Sequence, residues 1–368
     1  MDSTRETRRS RRQADKRENN FNVIRLISTV FVLVGHMAMI LDIDAPMFGG
    51  VTLHSLGVEI LFIISGYLIT LSWLSDPHPV RYAVKRFFRL WPPFAVMVLL
   101  LTFVGGPLVS ELGVKGYFDS WFYLFLRNLR FYIVFAQPGV FADMPIAYSS
   151  NGSLWTMPIE AALYVVLPIL LTILRVRKRS KASFCATCAF TGLMMAFDMY
   201  LRIFHNDEAL VFYGTDLISA YHLSVFYMIG VLFTYDEMKA LLNGQVGFAA
   251  VCLIMAAQKL PVPALYLVLQ VALPYAMLSF ALASRPVFSR YGRKVELSYS
   301  VYLYAFFFQQ LTNYISIKND LDWGFVTCFV ISTAMTVVMA ALSFFLVEEP
   351  SLRLSRKLVA HIGKRKTE

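Results

Sequence analysis

The sequence predicts an all-α polytopic membrane protein with about ten transmembrane helices and both termini in the cytoplasm. Hydrophobic residues make up 57% of the 368-residue chain and charged residues only 16%, which is far from the balance of a soluble domain. Apolar stretches long enough to span a bilayer recur along most of the chain. Most of the 34 Lys and Arg residues fall in alternate connecting segments, which places those segments and both termini inside the cell.

Hydropathy gives approximate bounds for the ten predicted crossings. They lie at roughly 22–42, 58–75, 90–109, 153–174, 182–204, 218–236, 246–259, 264–283, 297–316 and 323–347. We therefore predict a basic cytoplasmic tail at 1–20, a transmembrane domain at 21–350 and a second basic cytoplasmic tail at 351–368. The net charge of +10 is distributed beside the apolar spans and forms no separate basic domain, which argues against nucleic-acid binding.

The first crossing contains two ionisable residues, Arg25 near its start and His36 well inside it. Eleven residues advance an α-helix by about 1100°, so the two side chains share one face and lie about 16 Å apart. An ionisable group within a bilayer is costly and usually functional. A neutral imidazole there could act as a general base or as a nucleophile, and the sequence does not separate these two roles.

Arg86 and Arg89 lie one helical turn apart just before the third crossing, so their guanidinium groups can converge on one anion such as a phosphate. Anchoring at the cytoplasmic membrane surface is the alternative explanation. Glu59 and Glu160 enter the second and fourth crossings from outside, which predicts that both lie near the depth of His36. A carboxylate beside an imidazole orients its tautomer and stabilises the imidazolium, although a buried ion pair between helices would use the same residues.

Five motifs follow His36 in chain order. They are GVEILFIISGY at 57–67, RFFR at 86–89, SLW at 153–155 with Glu160, LSYSVYL at 297–303 and VEEP at 347–350. Together with Arg25 and His36, these motifs resemble the acyltransferase-3 family of integral membrane O-acyltransferases. The resemblance covers the chain from about residue 22 to 350.

The resemblance implies an enzyme that moves an acyl group, usually acetyl in this family, from cytoplasmic acyl-CoA to a hydroxyl. It further implies an acceptor that is a cell-surface glycan or a related molecule, and a location in the plasma or inner membrane of the cell. Catalysis is assigned to His36 with Glu160 and Glu59, and acyl-CoA binding to Arg25, Arg86 and Arg89. We expect no permanently bound cofactor and no metal site. The chain departs from a frequent family pattern at Ala305 and Asn22, where a histidine and an aspartate often stand.

Further polar and aromatic residues are candidates for the substrate pocket. Aromatic rings shape such pockets and hydroxyls can donate to a thioester oxygen or a sugar, although polar contacts between helices are an equal alternative. These candidates are Trp155, Tyr164, Ser298, Ser300 and Tyr302. Residues that could line the acceptor entrance, although solvated loop positions are more usual, are His54, Arg127, Arg130, Asp216 and His222.

Two local arrangements complete the expectations. Asp198 and Arg202 lie four residues apart in the fifth crossing and should neutralise each other. The aromatic-rich stretch at 117–135 contains two arginines, which predicts an interfacial or re-entrant helix over a cavity instead of an ordinary crossing.

Two other classes of function fit a helical bundle with buried charge. One is a transporter or flippase for a lipid-linked or small anionic substrate, although the sequence shows no paired inverted halves. The other is a membrane receptor or scaffold without catalysis. Tolerance of substitutions at His36 and Glu160 would favour that class.

Overall fold

The computed structural model describes residues 19–205, 208–284, 286–292 and 295–364. Most of the predicted tail at 1–20 lies outside these residues. Within them the chain folds almost entirely into α-helices, namely α1 (Phe21–Ile40), α2 (Leu53–Ser75), α3 (Pro79–Leu100), α4 (Gly106–Val109), α5 (Gly113–Phe118), α6 (Thr156–Ile173), α7 (Lys181–Phe204), α8 (Leu217–Leu232), α9 (Asp236–Ala240), α10 (Gly244–Ala256), α11 (Val262–Ala281), α12 (Ser298–Lys318), α13 (Phe325–Ser343) and α14 (Glu349–Lys364).

Short elements connect or extend these helices. Two antiparallel hairpins pair β1 (Met47–Phe48) with β2 (Val51–Thr52), and β3 (Val211–Phe212) with β4 (Thr215–Asp216). Turns of π-helix occupy Leu101–Gly105 and Phe344–Glu348. The 3₁₀-helices are Phe122–Arg130, Gly152–Trp155, Val176–Lys178 and Ala257–Lys259.

Seven helical segments in the described part of the chain are long and apolar enough to cross a membrane. They are Phe21–Ile40, Leu53–Ser75, Pro79–Val109, Gly152–Ile173, Lys181–Phe204, Val262–Ala281 and Phe325–Gly363. Two shorter apolar helices, Leu217–Leu232 and Gly244–Lys259, and the more polar 21-residue α12 coincide with the other three predicted crossings. The helical membrane class is confirmed, whereas the count of ten and the sides of the termini stay predictions.

Helix α3 begins eleven residues before the predicted third crossing, because a hydropathy window leaves out its charged first turns. Pro79 occupies the first helical position, which favours helix initiation there. Asp76 precedes the helix and accepts hydrogen bonds from Arg81 Nε at 3.0 Å and Lys85 Nζ at 2.7 Å. The Arg81 hydrogen bond, supported by Lys85, lowers the pKa of Asp76 to about 2. These contacts fix the turn after which Arg86 and Arg89 are placed.

Helix α1 is held in register by polar side chains of α12. Gln309 Nε2 donates to the carbonyl oxygen of Leu33 at 2.7 Å, and Asn313 Nδ2 donates to that of Ile40 at 3.2 Å. On the opposite side His54 of α2 lies so close to Gly35 that a β-carbon there would be 2.6 Å from its Nδ1 atom. These contacts together set the direction in which His36 points.

Helices α2 and α8 cross at two glycines. A β-carbon at Gly66 would overlap the carbonyl oxygen of Tyr227, and one at Gly230 would overlap that of Ile63. Close backbone approach of this kind is typical of membrane helix pairs with small residues at the interface. The crossing brings His222 of α8 alongside Glu59 of α2, where the two side chains form a hydrogen bond.

The segment between α4 and α6 is compact but differs from the expected single helix. Residues 117–135 contain the end of α5 and the 3₁₀-helix Phe122–Arg130, with Tyr117 and Phe125 fully buried. The 3₁₀-helix is followed by Phe131, whose left-handed backbone (φ 60°) changes the direction of the chain. Asn151 Nδ2 then donates to the carbonyl oxygen of Leu303 at 2.7 Å and fixes the start of the next crossing.

The glycine crossing yields a test of helix packing. We expect Gly230→Ala to lower the free energy of unfolding by about 1–3 kcal/mol, because the new methyl group forces α2 and α8 apart. The matched control is Gly192→Ala in α7, where a β-carbon would meet no atom within 4 Å. There the alanine should stabilise the helix slightly. Thermal unfolding in detergent measures both, and an equal Tm for the two variants would contradict the close crossing.

Candidate active site

The predicted site residues separate into two groups in the structure. One group surrounds a cavity of about 640 Å³, called here the histidine cavity. Its polar and aromatic lining includes His36, His54, Glu59, Trp155, Asp198, Arg202, Asp216, His222, Tyr266 and Phe306. The other group, called here the arginine cluster, consists of Arg25, Arg86, Arg89, Glu160, Tyr164, Glu296 and Glu348.

His36 contributes a nearly buried ring to the histidine cavity, with 7% of the residue exposed. The Phe306 ring lies edge-on with its centroid 5.3 Å away, and the His54 ring is stacked at 5.8 Å. Among the described residues, no atom hydrogen-bonds the buried Nδ1 of His36. A neutral imidazole in the wall of a cavity can accept a proton from a bound hydroxyl at its unprotonated ring nitrogen.

Glu59 lines the same cavity and is 1% exposed. Its Oε1 atom lies 3.0 Å from Nε2 of His222, which donates to it. Its Oε2 atom is buried and has no hydrogen-bond partner within the described residues. The carboxylate is therefore held at one oxygen and free to accept a hydrogen bond at the other.

The other ring nitrogen of His222 faces a charged pair. Nδ1 of His222 lies 3.2 Å from Oδ2 of Asp198 and also contacts Nη2 of Arg202. Arg202 Nε donates to Oδ2 of Asp198 at 3.0 Å, which confirms that these two residues neutralise each other. Gln270 Nε2 donates to the same oxygen at 2.7 Å, and the Arg202 guanidinium lies 3.3 Å from the Tyr266 ring centroid. This network fixes the orientation of His222 and thereby of Glu59.

The three predicted donor-binding arginines do come together. Arg89 forms ion pairs with Glu348, which is fully buried, and with Glu296 at 3.2 Å. Arg25 lies 3.9 Å from the same Glu296. The cluster therefore holds three guanidinium groups, but two of them already have carboxylate partners.

Arg86 differs from its two neighbours. Its Nη2 atom donates to Ser72 Oγ at 3.2 Å, and its guanidinium lies 5.6 Å and 5.8 Å from the ring centroids of Tyr82 and Tyr164. Its Nε atom is buried without a hydrogen-bond partner, and it makes no ion pair within the described residues. Arg86 is therefore the arginine of this cluster with the most hydrogen-bonding capacity left for an added anion.

Glu160 lies in the arginine cluster, away from the lining of the histidine cavity. The Tyr164 hydroxyl donates to its carboxylate, which also interacts electrostatically with Arg89, Arg86 and Arg25. The structure therefore places Glu59, and not Glu160, in the cavity lining with His36, whereas the catalytic roles of the two carboxylates stay predictions. Depth along a helix does not determine which way a side chain faces.

The predicted pocket residues lie in three different places. Trp155 lines the histidine cavity. Ser298 and Ser300 donate to Glu296 and Glu348 respectively, the latter at 3.0 Å, so both serines stabilise the arginine cluster. The hydroxyls of Tyr302 and Thr156 lie 2.8 Å apart and join α12 to α6, which is the polar helix contact considered as the alternative.

Sequence reasoning underestimated three residues of the cavity. His54, Asp216 and His222 were candidates for the acceptor entrance, with solvated loop positions as the more usual alternative, and all three line the cavity. His222 lies five residues into an apolar stretch, and that signal favours a buried position over a solvated one. The described residues contain no group of three or more His, Cys, Asp or Glu side chains placed to hold a metal ion.

A polar cavity inside an apolar helical bundle defines a multi-pass membrane protein with an internal site. The sequence matches the acyltransferase-3 family, an acyltransferase domain, over residues 18–345, and the chain therefore belongs to this family. No solved structure matches it.

Two curated relatives match nearly the whole chain. Nodulation protein 10 of Rhizobium leguminosarum bv. viciae is 27% identical over 362 residues, which cover 93% of this chain and 95% of that protein. An O-acetyl transferase of Shigella phage Sf6 is 24% identical over 355 residues, covering 93% of this chain and 98% of that protein. The protein is a membrane O-acyltransferase, an enzyme that transfers groups other than aminoacyl groups. This membership favours catalysis over the transporter, flippase and receptor alternatives.

The ion pairs of the arginine cluster predict that substitutions of Arg86 and Arg89 affect the stability of the protein differently. Arg89→Ala should lower stability by about 3–5 kcal/mol, because it leaves the fully buried Glu348 carboxylate without its partner. Arg86→Ala, one turn away, should cost much less, because Arg86 forms no ion pair within the described residues.

Thermal unfolding of the two purified variants measures this difference. A double variant, Arg89→Ala with Glu348→Gln, should recover part of the loss, because the uncompensated charge is removed. Equal Tm values for Arg86→Ala and Arg89→Ala would contradict the assignment of Arg89 to a structural ion pair.

Proposed function

We propose that this protein transfers an acetyl group from cytoplasmic acetyl-CoA to a hydroxyl of a cell-surface glycan. The observation that carries the proposal is the imidazole of His36 in the wall of a 640 Å³ cavity, with the carboxylate of Glu59, held at one oxygen by His222, in the same wall. The name of the Shigella phage relative, an O-acetyl transferase, supports acetyl as the transferred group. The enzyme would act in the plasma or inner membrane, with both termini in the cytoplasm.

The histidine cavity is the proposed acceptor site. Its volume falls within the range of pockets that enclose a small organic ligand. Carboxylate, imidazole and guanidinium groups in its lining can hydrogen-bond several hydroxyls, and the Trp155 and Tyr266 rings offer flat apolar surface. A sugar presents both kinds of surface, which favours a glycan acceptor over a purely apolar alcohol.

His36 would act as a general base in the transfer. The free imidazole nitrogen accepts the proton of an acceptor hydroxyl, and the oxygen attacks the thioester carbonyl carbon. The carbon–sulfur bond then breaks, a carbon–oxygen ester bond forms, and the proton passes to the coenzyme A thiolate. In the alternative mechanism the same nitrogen attacks first and carries the acyl group before the acceptor arrives.

The arginine cluster is the proposed site for the phosphate groups of acyl-CoA. Along α1, Arg25 and His36 are eleven residues and therefore about 16 Å apart, so a bound donor has to extend from one group of residues to the other. Arg86 would make the most direct phosphate contact, because Arg25 and Arg89 are already close to Glu296. Arg86 forms no ion pair within the described residues, and a guanidinium in that state favours an anionic donor over a neutral one.

The first test removes the proposed base. His36→Ala should lower transfer of radiolabelled acetyl from acetyl-CoA to surface polymer by at least about 100-fold, because general base catalysis contributes about 10²–10⁴. The control is His361→Ala on the exposed surface of α14, which should retain wild-type activity. Transfer by a folded His36→Ala protein at the rate of His361→Ala would refute the role of His36.

The second test concerns the donor. Arg86→Lys keeps a positive charge but loses the planar fork, so the KM for acetyl-CoA should rise about 10-fold with little change in kcat. Arg353→Ala in α14 removes an exposed arginine that pairs with Glu349 and should leave this KM unchanged. Initial rates at varied acetyl-CoA concentration provide the comparison. An unchanged KM in Arg86→Lys would count against phosphate binding by this residue.

A further inference from the structure

Arg86 of the arginine cluster and two tyrosines near it each hold a buried hydrogen-bond donor without a partner among the described residues. The hydroxyls of Tyr82 and Tyr227 and the Nε atom of Arg86 are all buried, and none has a hydrogen-bond partner among the described residues. The residues Tyr82 and Tyr227 are 5% and 2% exposed. A buried donor left unsatisfied costs about 1–3 kcal/mol, and native proteins contain few of them.

These donors are close to one another. The Arg86 guanidinium lies 5.6 Å from the centroid of the Tyr82 ring. Tyr227, although it belongs to α8, lies in the same buried core as Tyr82 and Tyr164 and interacts electrostatically with Arg86. One patch of the interior therefore presents two hydroxyls and one N–H, and a complementary ligand would offer acceptor oxygens.

Tyr227 also lies between the two groups of site residues. On α8 it follows His222 by five residues, which is about 7 Å further along the helix from the histidine cavity. His222 lines that cavity, whereas Tyr227 interacts with the arginine cluster. A ligand that connects the two groups would pass this hydroxyl.

We propose that the hydroxyls of Tyr82 and Tyr227 donate hydrogen bonds to the amide carbonyl oxygens of the pantetheine arm of the acyl donor. This inference rests on the proposed function, in which the donor is acyl-CoA. The arm contains two amides and spans about thirteen bonds from sulfur to the first phosphorus. Extended like a peptide, with about 3.6 Å for three bonds, it reaches about 15 Å. That length is comparable to the rise of about 16 Å along α1 between Arg25, which belongs to the arginine cluster, and His36, which lines the histidine cavity.

The test uses the full chain purified in detergent and two probes, coenzyme A and S-acetylpantetheine. The second probe keeps both amides but lacks the phosphates and the nucleotide. Tyr82→Phe and Tyr227→Phe should each weaken equilibrium binding of both probes about 3- to 10-fold, the ratio expected for one hydrogen bond between uncharged groups. Neither substitution should lower the Tm, because each removes a hydroxyl that has no partner in the ligand-free protein.

The matched control is Tyr117→Phe. Tyr117 is fully buried, and its hydroxyl donates to the carbonyl oxygen of Thr102 at 2.9 Å. Its loss should lower the Tm and leave the affinity for both probes unchanged. If the two tyrosine variants bind both probes as tightly as the wild-type protein, the inference is overturned while the proposed donor stands. If the wild-type protein binds no coenzyme A, the proposed function fails as well.

Discussion

A charge inside an apolar helical bundle has to be neutralised by another charge, and much of this structure follows from that constraint. Arg89 meets the requirement through Glu296 and Glu348, which belong to distant parts of the chain. The motif residues Ser298 and Ser300 then hold those two carboxylates in place. The cluster therefore ties α3, α12 and the last π-turn together at one point, and Arg86 is left beside it with capacity for a further anion.

Charged side chains around the histidine cavity are also paired, but some polar atoms there have no partner within the described residues. Asp198 and Arg202 neutralise each other and orient His222, which in turn holds one oxygen of Glu59. The remaining oxygen of Glu59 and one nitrogen of His36 have no partner within the described residues. Unsatisfied polar atoms are costly in such surroundings, and the hydroxyl-bearing acceptor proposed above would add hydrogen-bond partners to this network. Some residues of this network are therefore fully paired and stabilise the fold, while their neighbours keep polar atoms without partners.

Much of this arrangement could be predicted from the sequence. Long apolar segments gave the helical membrane class, and the pairing of Arg86 with Arg89 at one helical turn gave their convergence on one place. Asp198 and Arg202 were paired correctly because an interval of four residues fixes their common face. These successes concern either composition or contacts within one helix, where geometry follows directly from spacing.

Contacts between helices were less predictable. Glu160 and Glu59 were expected at comparable depths, yet one joins the arginine cluster and the other the histidine cavity. The difference depends on helix rotation, which is set by contacts such as Gln309 with Leu33 and by the close approach at Gly66. The position of His222 beside Glu59 depends on the same crossing. No pattern in either helix alone contains this information.

The π-turn Phe344–Glu348 determines the phase of the last helix of the chain. A π-turn holds one residue more than an α-helical turn, so deleting one residue here would rotate everything downstream by about 100° relative to α13. Glu348 ends this turn and faces Arg89, whereas Ser355, two turns later, contacts the backbone of Val84 in α3. Both contacts need the same rotational offset. The additional residue therefore sets the rotation at which one continuous helical segment pairs Glu348 with Arg89 and also packs its following turns against α3.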